Sequence, residues 1–136
     1  MNDQDTQEES IRSFEDLKCW QACRILRNFV AQEVVHALPK EERYRLADQV
    51  LRAARSTTAN IAEGYGRFHY LDNAKFCSNS RGSCWEVLDH FITAEDEGLL
   101  DAALVTKGRT LVNDAVRILN GYIGYLQRSA KKHEIQ

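Results

Sequence analysis

From Phe14 to about Val35, apolar residues recur every three or four positions, the interval that gathers side chains on one face of an α-helix. Cys19, Cys23, Leu26, Val30 and Val34 form the centre of that stripe, flanked by Trp20, Ala22 and Phe29. Lys18, Gln21, Arg24, Asn28 and Gln32 fall on the other side. Ser13 stands where an N-cap belongs, and Glu15 and Asp16 follow in the first turn, where carboxylates complement the helix dipole. Pro39 marks the connection that follows. A second helix is predicted from about Glu41 to Gly64, with Leu46, Val50, Ala54, Thr57 and Ile61 inward. Its small residues, Ala53, Ala54, Ser56 and Ala59, let a neighbouring helix approach closely. Gly64-Tyr65-Gly66-Arg67 then interrupts the pattern.

The third helix is expected from Asp72, read as its cap, to Glu97. Phe76, Ser80, Ser83, Val87 and Phe91 line one face, Cys77, Cys84 and Leu88 lie beside them, and Gly98 is placed to stop the helix. The fourth is expected from Asp101 to Arg128 and has a wide apolar arc. Leu104, Leu111, Ala115, Ile118 and Tyr122 form one row, and Val105, Val112, Val116 and Ile123 a second. A monomeric bundle needs one such stripe, so the β-branched row is expected to face another subunit, joined by Trp85 and Ile92 from the third helix. The competing reading is a helix sunk deeper into its own core.

Four such helices with short connections predict an all-α protein, an antiparallel up-down-up-down four-helix bundle over residues 13–128. Residues 1–12 read as a disordered acidic tail and 129–136 as a flexible C-terminal tail.

Composition agrees with this picture: 136 residues, 43% hydrophobic and 28% charged, suit a single globular domain. Charge changes the picture more. The net value of −2 hides segregation, because residues 1–10 carry Asp3, Asp5, Glu8 and Glu9 and no basic residue. Basic residues outnumber acids from Arg43 to Arg81, whereas Gly82 to Asp101 holds only acids among its Asp, Glu, Lys and Arg positions. Such asymmetry suits ordered self-association or an anionic partner, and ordinary solvated helix faces are the competing reading. No apolar run approaches the roughly 20 residues that span a membrane, and the polar N-terminus is unlike a signal peptide. A cytoplasmic location with reduced cysteines is expected.

Candidate chemistry is sparse. Cys19, Cys23, Cys77 and Cys84 lie within apolar stripes and lack knuckle spacing, so they read as packing residues and not as metal ligands. The histidines His36, His69, His90 and His133 offer one Glu-x-x-His spacing, Glu33-Val34-Val35-His36, whereas the di-iron type needs two. Ser56-Thr57-Thr58 has no neighbouring base to make a nucleophile. No enzyme activity and no cofactor are expected. The basic face offers more: Arg45, Arg52, Arg55 and Arg67 suit phosphates, and Tyr65, Phe68 and Tyr70 suit stacking on bases.

Residues 52–67 read RAARSTTANIAEGYGR. Around them stand Phe14-x-x-Leu17-x-x-Trp20, Leu38-Pro39-x-x-Glu42-x-Tyr44-x-Leu46, Gln49 and Gly82-Ser83-x-x-Glu86, in that order. Over about residues 13–128 the chain thus resembles a bacterial family first noticed in proteins encoded within intervening sequences of 23S rRNA genes. The same family includes the accessory variability protein of diversity-generating retroelements. The resemblance implies a four-helix protomer, often a ring-like homopentamer, without established enzymatic activity. It also implies contact with RNA or DNA, better supported for the strongly basic retroelement branch, from which this chain departs in its slightly negative charge.

The motif positions Ser56, Asn60, Glu63, Gly64, Ser83 and Glu86 also have a structural reading. Ser56 and Asn60 share a helix face, Glu63 and Arg67 suit an ion pair, and Gly64 and Gly66 permit a tight exit. Two functions compete: a self-assembling accessory protein that binds nucleic acid weakly, and an oligomeric scaffold for an unknown protein partner with no nucleic-acid role.

Overall fold

A computed structural model of the chain describes residues 11–135, which form four long helices and no strand. Ser13 caps a short 3₁₀ turn, Phe14–Asp16. Its hydroxyl accepts from the Glu15 N–H, and the Asp16 carboxylate accepts from the Ser13 N–H, so these donors at the start of the turn are satisfied locally. Helix α1 runs over Lys18–Phe29, winds through a π-helical turn at Val30–Val34 and closes with Val35–Ala37. A 3₁₀ turn, Lys40–Glu42, then leads to α2, Leu46–Tyr65. Helix α3 spans Tyr70–Asp96 and α4 spans Ala102–Ile135. Gly98, with φ of 72°, supplies the left-handed residue after α3, as its position suggested.

Four boundaries differ from expectation. Helix α1 starts at Lys18 and not at Phe14, since Leu17 is extended, with φ −71° and ψ 129°, and separates it from the turn that Ser13 caps. Helix α2 starts at Leu46, since Arg45 has φ −122° and ψ −107° and breaks the winding from Glu41. Helix α3 starts two residues earlier than Asp72, after an extended His69. Helix α4 does not stop at Arg128: residues 129–135, expected as a flexible tail, continue it. No glycine or proline follows Gly124, and Lys132 and His133 complement the negative end of the dipole. The acidic tail lies outside the described residues up to Ser10. Ile11 already packs against the core, and the Arg12 N–H donates to the Asp16 carboxylate at 2.9 Å.

Helix α1 packs on α2 and α4, and α3 packs on the same two, which closes a four-sided bundle. The expected subunit-facing row on α4 is corrected by this packing. Val112 is 0% exposed, and Val105, Val116 and Ile123 are also buried inside the protomer, so none of them offers surface to another chain. Helix α4 is covered from both sides: Arg81 of α3 donates to Asn120 at 2.7 Å, and Lys107 meets Glu33 of α1 at 3.2 Å. The buried arc is therefore wide, and Leu104, Leu111 and Ile118 sit half-buried at its margin. Trp85 and Ile92 do remain at the surface, 47% and 36% exposed. Gly108 makes room in the centre, because a Cβ there would collide with the Phe91 ring, which meets Phe29 edge-on at 6.0 Å.

All four cysteines are free and buried. Cys23 Sγ lies 3.9 Å from Cys84 Sγ and 3.9 Å from Ser80 Oγ, and Ser80 donates to the Thr57 carbonyl at 2.7 Å. A thin polar seam thus crosses the core, with its hydroxyls and thiols partnered. Among the described residues, no group of three or more His, Cys, Asp or Glu side chains is placed to hold a metal ion. No helix among them is long and apolar enough to cross a membrane.

Candidate nucleic-acid interface

Arg52 and Arg55 project from the exposed side of α2, and Arg45 and Arg67 lie just before and just after that helix. They are not equivalent. Arg52 meets Asp48 at 3.2 Å and Arg67 meets Glu63 at 3.2 Å, each one turn away on its own side of the helix. Such exposed pairs are weak, typically about 0.3–0.5 kcal/mol, but each sets a carboxylate beside the guanidinium and offsets part of its charge. Arg45 and Arg55 have no carboxylate among the described residues within 4.0 Å. Of the four expected phosphate ligands, these two are the unneutralised ones.

Aromatic side chains bracket the same helix. Tyr44 is 84% exposed before α2, with the Arg43 guanidinium 5.8 Å from its ring. Phe68 is 99% exposed after α2, next to Arg67, whose guanidinium lies over the Phe76 ring at 4.9 Å. Tyr65 and Tyr70 are partly buried instead, so the three expected stacking residues are not alike.

Below Phe68 the chain forms a cleft of about 370 Å³ between the α2–α3 turn and α4. Tyr65, Arg67, Tyr70, Tyr122 and Tyr125 line it, with Asn73 at its base. Asn73 is buried; its Nδ2 donates to the Tyr122 hydroxyl at 3.2 Å, and its Oδ1 accepts from the Cys77 thiol at 3.5 Å. Burial pushes the Tyr122 hydroxyl pKa up, against the smaller opposing effect of the Asn73 hydrogen bond, so that hydroxyl stays neutral. A second cleft of about 650 Å³ shares Phe68, His69 and Tyr70 and extends along Ala130 and His133. The Tyr70 and His133 rings lie 5.2 Å apart.

Sequence reasoning missed this corner. Arg128, Lys131, Lys132 and His133 belong to the last turns of α4, in a segment expected to be loose. The signal was present, since cations at a helix C-terminus favour its continuation.

A family model described as 23S rRNA-intervening sequence protein matches residues 15–121. The chain belongs to that family. No curated protein matches it.

The motif positions of this 23S rRNA-intervening sequence protein are held chiefly between α2 and α3. Ser56 Oγ lies 2.9 Å from Ser83 Oγ, and Asn60 Nδ2 donates both to Ser56 Oγ and to the Ser56 carbonyl at 2.9 Å. The polar knot bridges the two helices with all three side chains half-buried. Gly64 works by size and not by turn geometry, because a Cβ there would stand 2.7 Å from Asn73 Oδ1 and 2.9 Å from Phe76 Cβ. Gly66, with φ −71°, also keeps right-handed backbone. Glu86 contacts His90 at 3.2 Å along α3, a pairing of residues four apart.

Proposed function

We propose that this protein is a non-enzymatic, self-assembling helical bundle that serves as a weak nucleic-acid-binding accessory factor in the cytoplasm. The observation that carries the reading is the bracketing of α2 by Arg43-Tyr44-Arg45 at one end and Arg67-Phe68 at the other, with both aromatics almost fully exposed. An exposed ring beside a guanidinium offers a base a stacking face and its phosphate a counter-charge. The up-down-up-down order belongs to the same proposal. Gly64 faces Asn73 while Ser56 reaches Ser83, as expected for neighbouring helices that run in opposite directions. Self-association, expected as a pentamer, is supported by Trp85 and Ile92, which the protomer leaves exposed along one line of α3.

Fluorescence anisotropy with labelled single-stranded RNA, single-stranded DNA and duplex DNA, over a range of salt, tests the reading. Two neutralised single-strand phosphates per protomer give a log–log salt slope of about −1.4, multiplied if several protomers engage one strand. Arg45→Glu with Arg55→Glu should abolish binding, and Arg52→Glu, already paired with Asp48, should weaken it less. No binding by the wild type at low salt sinks the proposal. The exposed Trp85 and Ile92 then favour an oligomeric protein scaffold, whose partner a pull-down from cells would identify.

A further inference from the structure

We infer that the corner where the α2–α3 turn meets the last turns of α4 is a nucleobase site, which takes one unstacked nucleotide into the cleft beneath Phe68. This rests on the nucleic-acid reading above and adds a ligand class and a pocket to it. The cleft's size, about 370 Å³, falls at the small end of the ~300–1,000 Å³ usual for ligand sites, enough for a planar heterocycle and not for a helix or a hairpin. Its walls are aromatic: Tyr65, Phe68, Tyr70, Tyr122 and Tyr125. Rings of this kind receive the π-face of any base with little sequence preference.

Polar chemistry at the base of the cleft fits the edge of a heterocycle. The Tyr122 hydroxyl accepts from Asn73 Nδ2 and so keeps its own proton to donate to a ring nitrogen or carbonyl oxygen. Arg67 lines the cleft itself, and the last turns of α4, which carry Arg128, Lys131, Lys132 and Glu134, reach the same end of the bundle, where the Tyr70 and His133 rings meet and Glu134 lines the second cleft. The basic side chains suit the phosphate attached to the inserted base. Phe68, His69 and Tyr70 line both this cleft and the wider one beside His133, so they form a ledge with space for a base on either side. Duplex nucleic acid keeps its bases stacked and paired and cannot offer one to the ledge without the cost of flipping it. The site should therefore discriminate single strands from duplexes, which a purely ionic surface does not.

The test uses full-length protein with three probes: adenosine monophosphate, a single-stranded RNA carrying 2-aminopurine, and a blunt duplex of the same sequence. Insertion of the base should change 2-aminopurine emission on binding of the single strand and leave the duplex silent. Phe68→Ala, which removes an exposed ring and leaves the core intact, should weaken single-strand binding about 10-fold and duplex binding less than 2-fold. Tyr122→Phe keeps the ring and deletes the donor, and should reduce the emission change while Arg45/Arg55-dependent duplex binding persists. Saturable binding of the monophosphate that competes with the strand supports the site with a free nucleotide as ligand. Its absence, with the emission change retained, supports the site with a strand as ligand.

Equal losses on single strand and duplex, or no loss on either, overturn the base site and leave the ionic reading standing. Monophosphate binding without binding of any strand does the reverse: it keeps the site and removes the accessory role. If Phe68→Ala instead shifts the assembly state in light scattering and leaves all three probes unaffected, the ledge contacts a second copy of the chain and the inference fails.

Discussion

Two glycines in the same family motif region carry opposite consequences, and burial decides the sign. At Gly64 a methyl group would press on the Asn73 amide and on Phe76 Cβ, both held by the α2–α3 contact. Alanine there should destabilise the protein by about 1–3 kcal/mol, despite its better helix propensity. At Gly82 a methyl group meets nothing within 4 Å, so alanine should stabilise by about 0.5–1 kcal/mol. Urea unfolding should move the midpoint down for Gly64→Ala and up for Gly82→Ala. The thiols give a second consequence at this scale. Burial pushes Cys77 up to about 12 from 9.0 and likewise raises Cys19; the hydrogen bond to Cys23 followed by burial raises Cys84, and that same bond lowers Cys23, so this pair offsets itself in part. A raised folded-state pKa means that the unfolded chain ionises first, so stability is intact below pH 9 and is lost as pH rises toward 12. Denaturation midpoints measured from pH 8 to 11 should fall for the wild type. A variant with Cys19, Cys77 and Cys84 replaced by Ala or Val should show a flatter profile.

At the scale of elements, α4 gives the clearest expectation. Amide hydrogen exchange should show protection through at least Lys132, whereas a loose tail after Arg128 would exchange at the intrinsic rate. The helices themselves were legible because their apolar stripes have the right period: Cys19, Cys23 and Leu26 on α1 and Val50, Ala54 and Ile61 on α2 are all buried as the pattern requires. The assignment of the two rows on α4 was not legible. Both rows have helical spacing, and only the positions of α1 and α3 decide which one is central. The corner cleft was obscured for a related reason. Tyr65, Tyr70 and Tyr122 are distant in sequence or point different ways, and their meeting depends on the turn at 66–69 and on the true length of α4. The π-helical turn at Val30–Val34 was equally invisible: it adds a residue to one turn while Val30 and Val34 both stay buried, so the periodicity looks ordinary.

For the whole molecule, burial separates two substitutions that a stripe pattern alone would treat alike. Val112→Glu places a carboxylate at a fully buried position and should unfold the protomer, with loss of the helical circular-dichroism signal. Trp85→Glu with Ile92→Lys changes exposed positions and should leave that signal intact while light scattering reports a smaller particle. A wild type that is monomeric at micromolar concentration would show that those two residues serve no self-association. The two outlying aromatics have a consequence of another kind. Tyr44 and Phe68 stand beyond opposite ends of a helix of 20 residues, which is about 30 Å long. A stacked strand advances about 3.4 Å per nucleotide, so about nine nucleotides are needed to reach from one ring to the other. Under the proposed strand-binding reading the helix would act as a ruler: affinity per molecule should climb as a single strand is lengthened toward that span, and then level off.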